Sequence, residues 1–205
     1  MKTFWDLFNA GQFTTTVTCT TCGTVSRTDE PFSELMLTFP QPHHESDQDC
    51  TVEDLIAHHC GTQDIDDYQC DCCNGRKQRK SLTLLSVPPI LCIVLSHRKL
   101  NGGSIQLAVQ FHVSGVNITE DDLQYNLLGT VHYRPRGPDH GHYTSICLSQ
   151  RSQSRNWFNY NDLEVSISNF TSKKQSTRVL KGHTKMVTIL FYVHWKSGSY
   201  SWFTR

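Results

Sequence analysis

Two short runs of cysteine raise the first chemical question: Cys19-Thr-Thr-Cys22, followed by Gly23, and Cys70-Asp-Cys-Cys73. A gap of two residues lets both thiolates of a tight turn face one metal ion, and a glycine supplies the positive φ that such a turn often needs. Four thiolates in a tetrahedron suit zinc, because soft sulfur ligands and that geometry match it. Residues 23–69 separate the pairs, more than a short zinc ribbon holds, so a strand and a helix must fit between two knuckles. Cys72 competes with Cys73 for the fourth place, and Cys73 is preferred because it gives two matching knuckles. Cys50, Cys60, His58 and His59 are further ligand types, but a single Cys or His on a short helix more often packs or faces solvent. The plain alternative is that one or both pairs are free thiols.

The segments around these cysteines read mostly as strands. Phe13, Thr15, Val17 and Cys19 alternate with polar residues, and residues 33–39 form another apolar strand stopped by Pro40. Gln41 to Asp49, with Pro42, His43 and His44, is a polar loop. Thr51-Val-Glu-Asp54 predicts a capping box opening a short helix to about His59, with a stop at Gly61. Ser81 to Ser86 continues the pattern. Pro89 to Leu95 is nearly all apolar, which predicts a strand covered on both faces, with Cys92 in the core. Further strands are expected at Ile105 to Phe111, Tyr125 to Tyr133, His142 to Leu148, Asn156 to Tyr160 and Met186 to Val193. The fold class is therefore α+β, mostly β.

Composition narrows the setting. The 205 residues carry 19 basic and 19 acidic side chains, so no global field favours nucleic acid or an anionic membrane. The one basic run, Arg76-Lys-Gln-Arg-Lys80, lacks interleaved aromatics and reads as a solvated hairpin. Met1 to Phe8 is interrupted by Asp6 and has no signal-peptide core, and the longest apolar runs are too short to cross a bilayer. A cytoplasmic and/or nuclear location is expected. There, nine cysteines read as metal ligands and free thiols before disulfides. The sequons at Asn117 and Asn169 are then chance matches.

Taken in order, the motifs resemble one family. Thr18-Cys-Thr-Thr-Cys-Gly23, Glu30-Pro-Phe32 and Leu35-Met-Leu37 are similar to the start of the "fingers" of ubiquitin-specific proteases. Val52-Glu-Asp-Leu55 followed by Tyr68-Gln-Cys-Asp-Cys-Cys73 resembles the second cysteine pair with its lead-in helix. Ser86-Val-Pro-Pro-Ile-Leu91 and Leu95-Ser-His-Arg98 look like the strand that follows. His140-Gly-His-Tyr-Thr-Ser145 resembles the family's Gly-Gly-His-Tyr box, with His140 in place of the first glycine. Trp157-Phe-Asn-Tyr-Asn-Asp162 resembles the box that orients the histidine, and Thr188-Ile-Leu-Phe-Tyr192 the closing strand. The likeness runs from about Leu7 to Val193.

That resemblance implies a papain-like cysteine protease palm (residues 86–195) carrying zinc-ribbon fingers (12–85) in a partial domain spanning 1–195, with 196–205 as a tail. It implies hydrolysis of the bond after the C-terminal glycine of ubiquitin, with His142 as general base, Asn161 as its orienting residue and Asp162 as a second orienter or oxyanion-site support. It implies a structural Zn2+ on Cys19, Cys22, Cys70 and Cys73, and ubiquitin or ubiquitinated proteins as partners. The family's Asn-Thr-Cys box, which supplies the nucleophile and the "thumb", is not found in the 205 residues. Cys147 lies five residues past His142, and an odd offset along a strand turns it to the opposite face. The expectation is a chain without peptidase activity of its own, whose exposed apolar palm face binds a protein partner. A non-catalytic ubiquitin-binding or scaffold protein is the alternative.

Overall fold

Thr, Val and Phe alternate through residues 11–19, and such residues fit a pleated, half-buried surface. They form β1 (Gly11–Cys19), which pairs antiparallel with β6 (Gln78–Ser86) on one side and β2 (Val25–Phe32) on the other. With β5 (Gln63–Ile65) against β6, the result is a four-stranded sheet in the order β2-β1-β6-β5. The computed structural model describes residues 11–40, 50–66, 68–97, 109–111, 114–117, 124–137, 140–149, 156–168 and 187–194. The loop expected at Gln41 to Asp49, most of the strand expected at Ile105 to Phe111, the sequon at Asn169, and both chain ends lie outside the described residues.

Between the two cysteine pairs the chain does more than add one strand and a helix. After β2 it leaves the small sheet and lays β3 (Glu34–Thr38) parallel to β7 (Ile90–Ser96), at the edge of a second, eight-stranded sheet. That sheet continues antiparallel through β14 (Val187–His194), β10 (Gln124–Pro135), β11 (Gly141–Ser149), β12 (Asn156–Asn161) and β13 (Glu164–Ser168), with β9 (Ser114–Asn117) also on β10. Residues 12–85 thus contribute to both sheets. A short parallel pair, β4 (Cys50–Thr51) with β8 (Val109–Gln110), precedes the single described helix α1 (Val52–Cys60).

The helix starts where its sequence says. The Thr51 hydroxyl accepts from the Asp54 N–H (3.0 Å), and the Asp54 carboxylate accepts from the Thr51 N–H (2.9 Å), which satisfies two otherwise orphaned donors. The Thr51 hydroxyl, which donates to Asp54 Oδ2 (2.7 Å), and then the Thr51 N–H hold the Asp54 carboxyl below its ordinary value. Val52, Leu55 and Ile56, spaced for one helical face, are buried with Leu35, Leu37, Ile93, Leu95, Leu190 and Tyr192 in the main core.

Among the described residues, the two faces of the large sheet are buried to different degrees. Cross-strand partners share a face, and Ile146, Thr130, Leu190, Ile93 and Leu35 form a buried row across five strands. The alternate rows are as apolar but half-exposed: Ile167, Phe158, Cys147, Phe191 and Cys92, then Val165, Tyr160, Val131, Ile189, Val94 and Met36. The expectation that β7 is covered on both faces is met on the Ile93 face, while the described residues leave Cys92 and Val94 on the other face partly buried. Cys92 and Val94 point to the other side, and Cys92 is only half-buried.

Candidate metal centre and histidine site

The two cysteine pairs sit on turns with the same backbone wiring. In the first, the Gly23 N–H donates to the Cys19 carbonyl (2.9 Å), and the Cys19 N–H donates to the Thr24 carbonyl (2.9 Å). In the second, Asn74 donates to Cys70 (2.8 Å) and Cys70 to the Gly75 carbonyl (2.9 Å). The residue after each pair takes a positive φ, 73° at Gly23 and 57° at Asn74, the two residue types that tolerate it best. This repeat puts Cys73 where Cys22 stands, and leaves Cys72 exposed beside the cluster.

The four sulfurs converge. Cys19 and Cys73 are 3.6 Å apart, Cys22 and Cys70 3.7 Å, and all four lie within 4.8 Å of one another. Tetrahedral zinc with Zn–S bonds of about 2.3 Å spaces its sulfurs about 3.8 Å apart, whereas a disulfide needs about 2.05 Å. The donor set and spacing therefore fit a metal and not a pair of disulfides. The local field is uneven. The Thr24 hydroxyl, 3.1 Å from Cys22 Sγ, is the main cause that lowers that thiol to about 6. At Cys73 the Gly75 N–H acts to lower the pKa, but the Cys22 thiol, burial, Cys19 and Cys70 outweigh it and push Cys73 up to about 12. Four thiolates this close require a cation among them. Cys50, Cys60, His58 and His59 are not part of the cluster.

The second constellation lies at one end of the large sheet. His142 is the second residue of β11, opposite Arg134 of β10. Asn161 ends β12 and Asp162 begins the two-residue turn to β13, at φ 54°, a left-handed value that Asp accepts. The imidazole Nε2 is 2.5 Å from Asn161 Oδ1. An amide oxygen only accepts, so Nε2 is the donor in this contact. Asp162 Oδ2 is 4.0 Å from Nδ1, and its own side chain is 78% exposed. Trp157 is buried and anchors β12 in the core behind this pair. Sequence motifs nominated His142, Asn161 and Asp162 from separate boxes, and the fold brings the three together.

Neither palm thiol meets the imidazole from this sheet. The β10–β11 register runs unbroken from Gly141 to Cys147, so Cys147 projects from the face opposite His142. Burial raises the Cys147 thiol, and burial followed by the charge of Glu34 pushes Cys92 up to about 11. Sequence reading missed Thr24, whose role appears only when its hydroxyl is placed against Cys22. It also missed the buried Thr130–His132 pair, 2.7 Å apart.

The sequence model of the family described as ubiquitin carboxyl-terminal hydrolase covers residues 2–192, and the chain belongs to that family. It is similar to ubiquitin carboxyl-terminal hydrolase 44-B of Xenopus laevis, 27% identical over 205 residues, covering 89% of this chain and 28% of the relative. Among solved structures it is similar to the yeast SAGA DUBm carrying a Sgf73 mutant, with a TM-score of 0.71 at 23% identity, covering 93% of this chain and 42% of the other. It is also similar to the SAGA Ubp8/Sgf11/Sus1/Sgf73 DUB module bound to ubiquitin aldehyde, with a TM-score of 0.68 at 21% identity, covering 93% and 42%. The chain thus spans under a third of the curated relative and under half of the structural relatives.

Proposed function

We propose that this chain forms the histidine side of a thiol-dependent deubiquitinating site, with 12–85 supplying the fingers, 86–195 a papain-like palm and 196–205 a tail. The observation that carries the reading is the contact of His142 Nε2 with Asn161 Oδ1, 2.5 Å apart, with Asp162 beside the same ring. With Nε2–H held, Nδ1 takes the proton of an incoming thiol, the thiolate attacks the carbonyl of the ubiquitin C-terminal glycine, and the same proton passes to the leaving amine. Asp162 stabilises the imidazolium formed between those steps. The thiol comes from a segment other than these 205 residues, so the chain by itself is inactive. Cys19, Cys22, Cys70 and Cys73 would hold a structural Zn2+ that ties two knuckles together and takes no part in the reaction.

Ubiquitin is the partner this reading assigns, and the half-exposed apolar face of the large sheet would take a protein surface of matching character. The setting is cytoplasmic and/or nuclear. Two measurements on the zinc-loaded chain test the proposal. A ubiquitin-derived electrophile that traps active-site thiols should give no specific adduct, and an adduct lost on His142→Ala would reveal a nucleophile inside the chain. Titration with labelled ubiquitin should show a micromolar or weaker complex, about −8 kcal/mol or less favourable. No response at near-millimolar protein would contradict a retained docking surface. The scaffold reading differs in one respect: it requires that the chain stay inert when a nucleophile segment is supplied.

A further inference from the structure

The strand that delivers His142 is held from behind. Tyr133 of β10 is registered opposite Tyr143 and Pro135 opposite Gly141, so Tyr133 and Gly141 are diagonal neighbours on one face of the sheet. The Tyr133 ring lies across the Gly141 backbone. A Cβ built on Gly141 would come within 2.2 Å of Cε2 and 2.3 Å of Cζ and Oη, far inside van der Waals contact. Tyr143 braces the ring from the next position, with centroids 4.8 Å apart and planes tilted by 42°. The connection into β11 is closed in a similar way. The Arg136 N–H donates to the His140 carbonyl (3.0 Å), and the His140 ring covers Gly137, where a Cβ would sit 3.2 Å from Nε2.

We propose that Tyr133 is a positioning residue for His142, clamping Gly141 so that the next residue presents its imidazole to Asn161. Its action runs through the backbone. His142 pairs with Arg134 and projects from the opposite face, so the Tyr133 ring does not reach the imidazole. Glycine gives a strand no side chain to pack and the widest backbone freedom, which makes the residue before His142 the weak link of β11. An aromatic ring laid over a cross-strand glycine offsets that weakness and pins the register. The hydroxyl of Tyr133 is not required for this, whereas the planar ring is.

The inference rests on His142 being the working base, yet its test reads the imidazole and not turnover. In the zinc-loaded, 15N-labelled chain, long-range imidazole spectra show which ring nitrogen bears the proton, and the Trp157 indole signal reports that the sheet is folded. Tyr133→Phe should leave the Nε2–H pattern of His142 unchanged. Tyr133→Ala should lose it to tautomer averaging while the Trp157 signal persists, and Tyr133→Leu decides the question if the alanine variant does not fold. Gly141→Ala should disturb His142 strongly when Tyr133 is present and much less in the Tyr133→Ala background, where the added methyl has room. A folded Tyr133→Ala or Tyr133→Leu protein with an unaltered His142 pattern overturns the proposal, as does an equal effect of Gly141→Ala in both backgrounds. Turnover that survives loss of His142 in a reconstituted enzyme would instead sink the functional reading, and would leave the clamp measured here intact.

Discussion

The two sheets of this protein are held together by different physics. The large sheet buries Leu37, Leu91, Ile93, Leu190 and Tyr192 completely, and α1 adds Val52 and Leu55 to the same core. Among the described residues the small sheet buries much less, with Phe32 in that core and Phe13 and Leu84 packed against it. Seven of the eight residues of β2 are exposed, and its buried groups gather at its two ends, Gly11 and Phe32 at one and Cys19, Cys70 and Gln78 at the other. A sheet of four strands with so little buried surface is marginal in water, so a metal ion held by the sulfur cluster would add much to its order. Burial organises one region, and the four-cysteine cluster, which could hold a metal ion, sits in the other.

Removing the metal is the largest way to break that contrast. A structural zinc contributes about 10 kcal/mol or more to a small motif, so chelation or Cys70→Ser should release the amides of β1, β2, β5 and β6 to hydrogen exchange. The amides of β7 and β14 should stay protected. A metal-free chain with an unchanged small sheet would contradict the account. Leu190→Ala is the converse: truncating a fully buried leucine should cost about 2–5 kcal/mol in denaturant unfolding and leave one bound zinc per chain by elemental analysis.

How much of this was readable beforehand follows the same division. Helix α1 was legible to within a residue because Thr51, Asp54 and Gly61 are local signals. Strands with a buried face, such as β7, β10 and β14, announced themselves by their apolar residues. β2 did not: Ser26, Arg27, Asp29 and Glu30 look like a loop, and pairing with β1 alone makes them a strand. β13 was also missed, although Val165 and Ile167 alternate with polar residues after the turn at Asp162. The cysteine pairs and the histidine boxes were legible as motifs, but their convergence was not. Neither the matched wiring of the knuckles nor the Nε2 contact of His142 with Asn161 is a local property. The unequal burial of the two faces of the large sheet among the described residues was hidden too, because an apolar run does not say how fully each of its faces is packed.

Smaller effects sharpen the comparison. Thr51→Ala should cost about 1 kcal/mol by removing the helix cap, and the loss should appear in the large-sheet unfolding transition, where α1 packs. The carboxyl of Asp54 is lowered in the fold, so its contribution is present above the ordinary carboxylate pKa and fades as pH falls through the lowered value. The stability difference between wild type and Thr51→Ala should therefore shrink in acid. Smallest of all is thiol reactivity. Mass spectrometry of alkylation at mildly alkaline pH should find exposed Cys72 modified first, with Cys92 and Cys147 slower because burial raises both thiols. Rapid modification of Cys147 would contradict its placement on the half-covered face.

The claim that His142, Asn161 and Asp162 form half of a deubiquitinating site is tested most directly by supplying the other half. The segment bearing the Asn-Thr-Cys turn of a related hydrolase is fused ahead of this chain, and cleavage of a ubiquitin fusion is followed in the zinc-loaded product. Turnover should appear, His142→Ala should reduce it by roughly 100-fold or more, Asn161→Ala should slow it less because Asp162 also faces the ring, and Cys147→Ser should change little. A folded, zinc-loaded fusion that remains inactive, or one that works equally well without His142, would show that these residues are not the site.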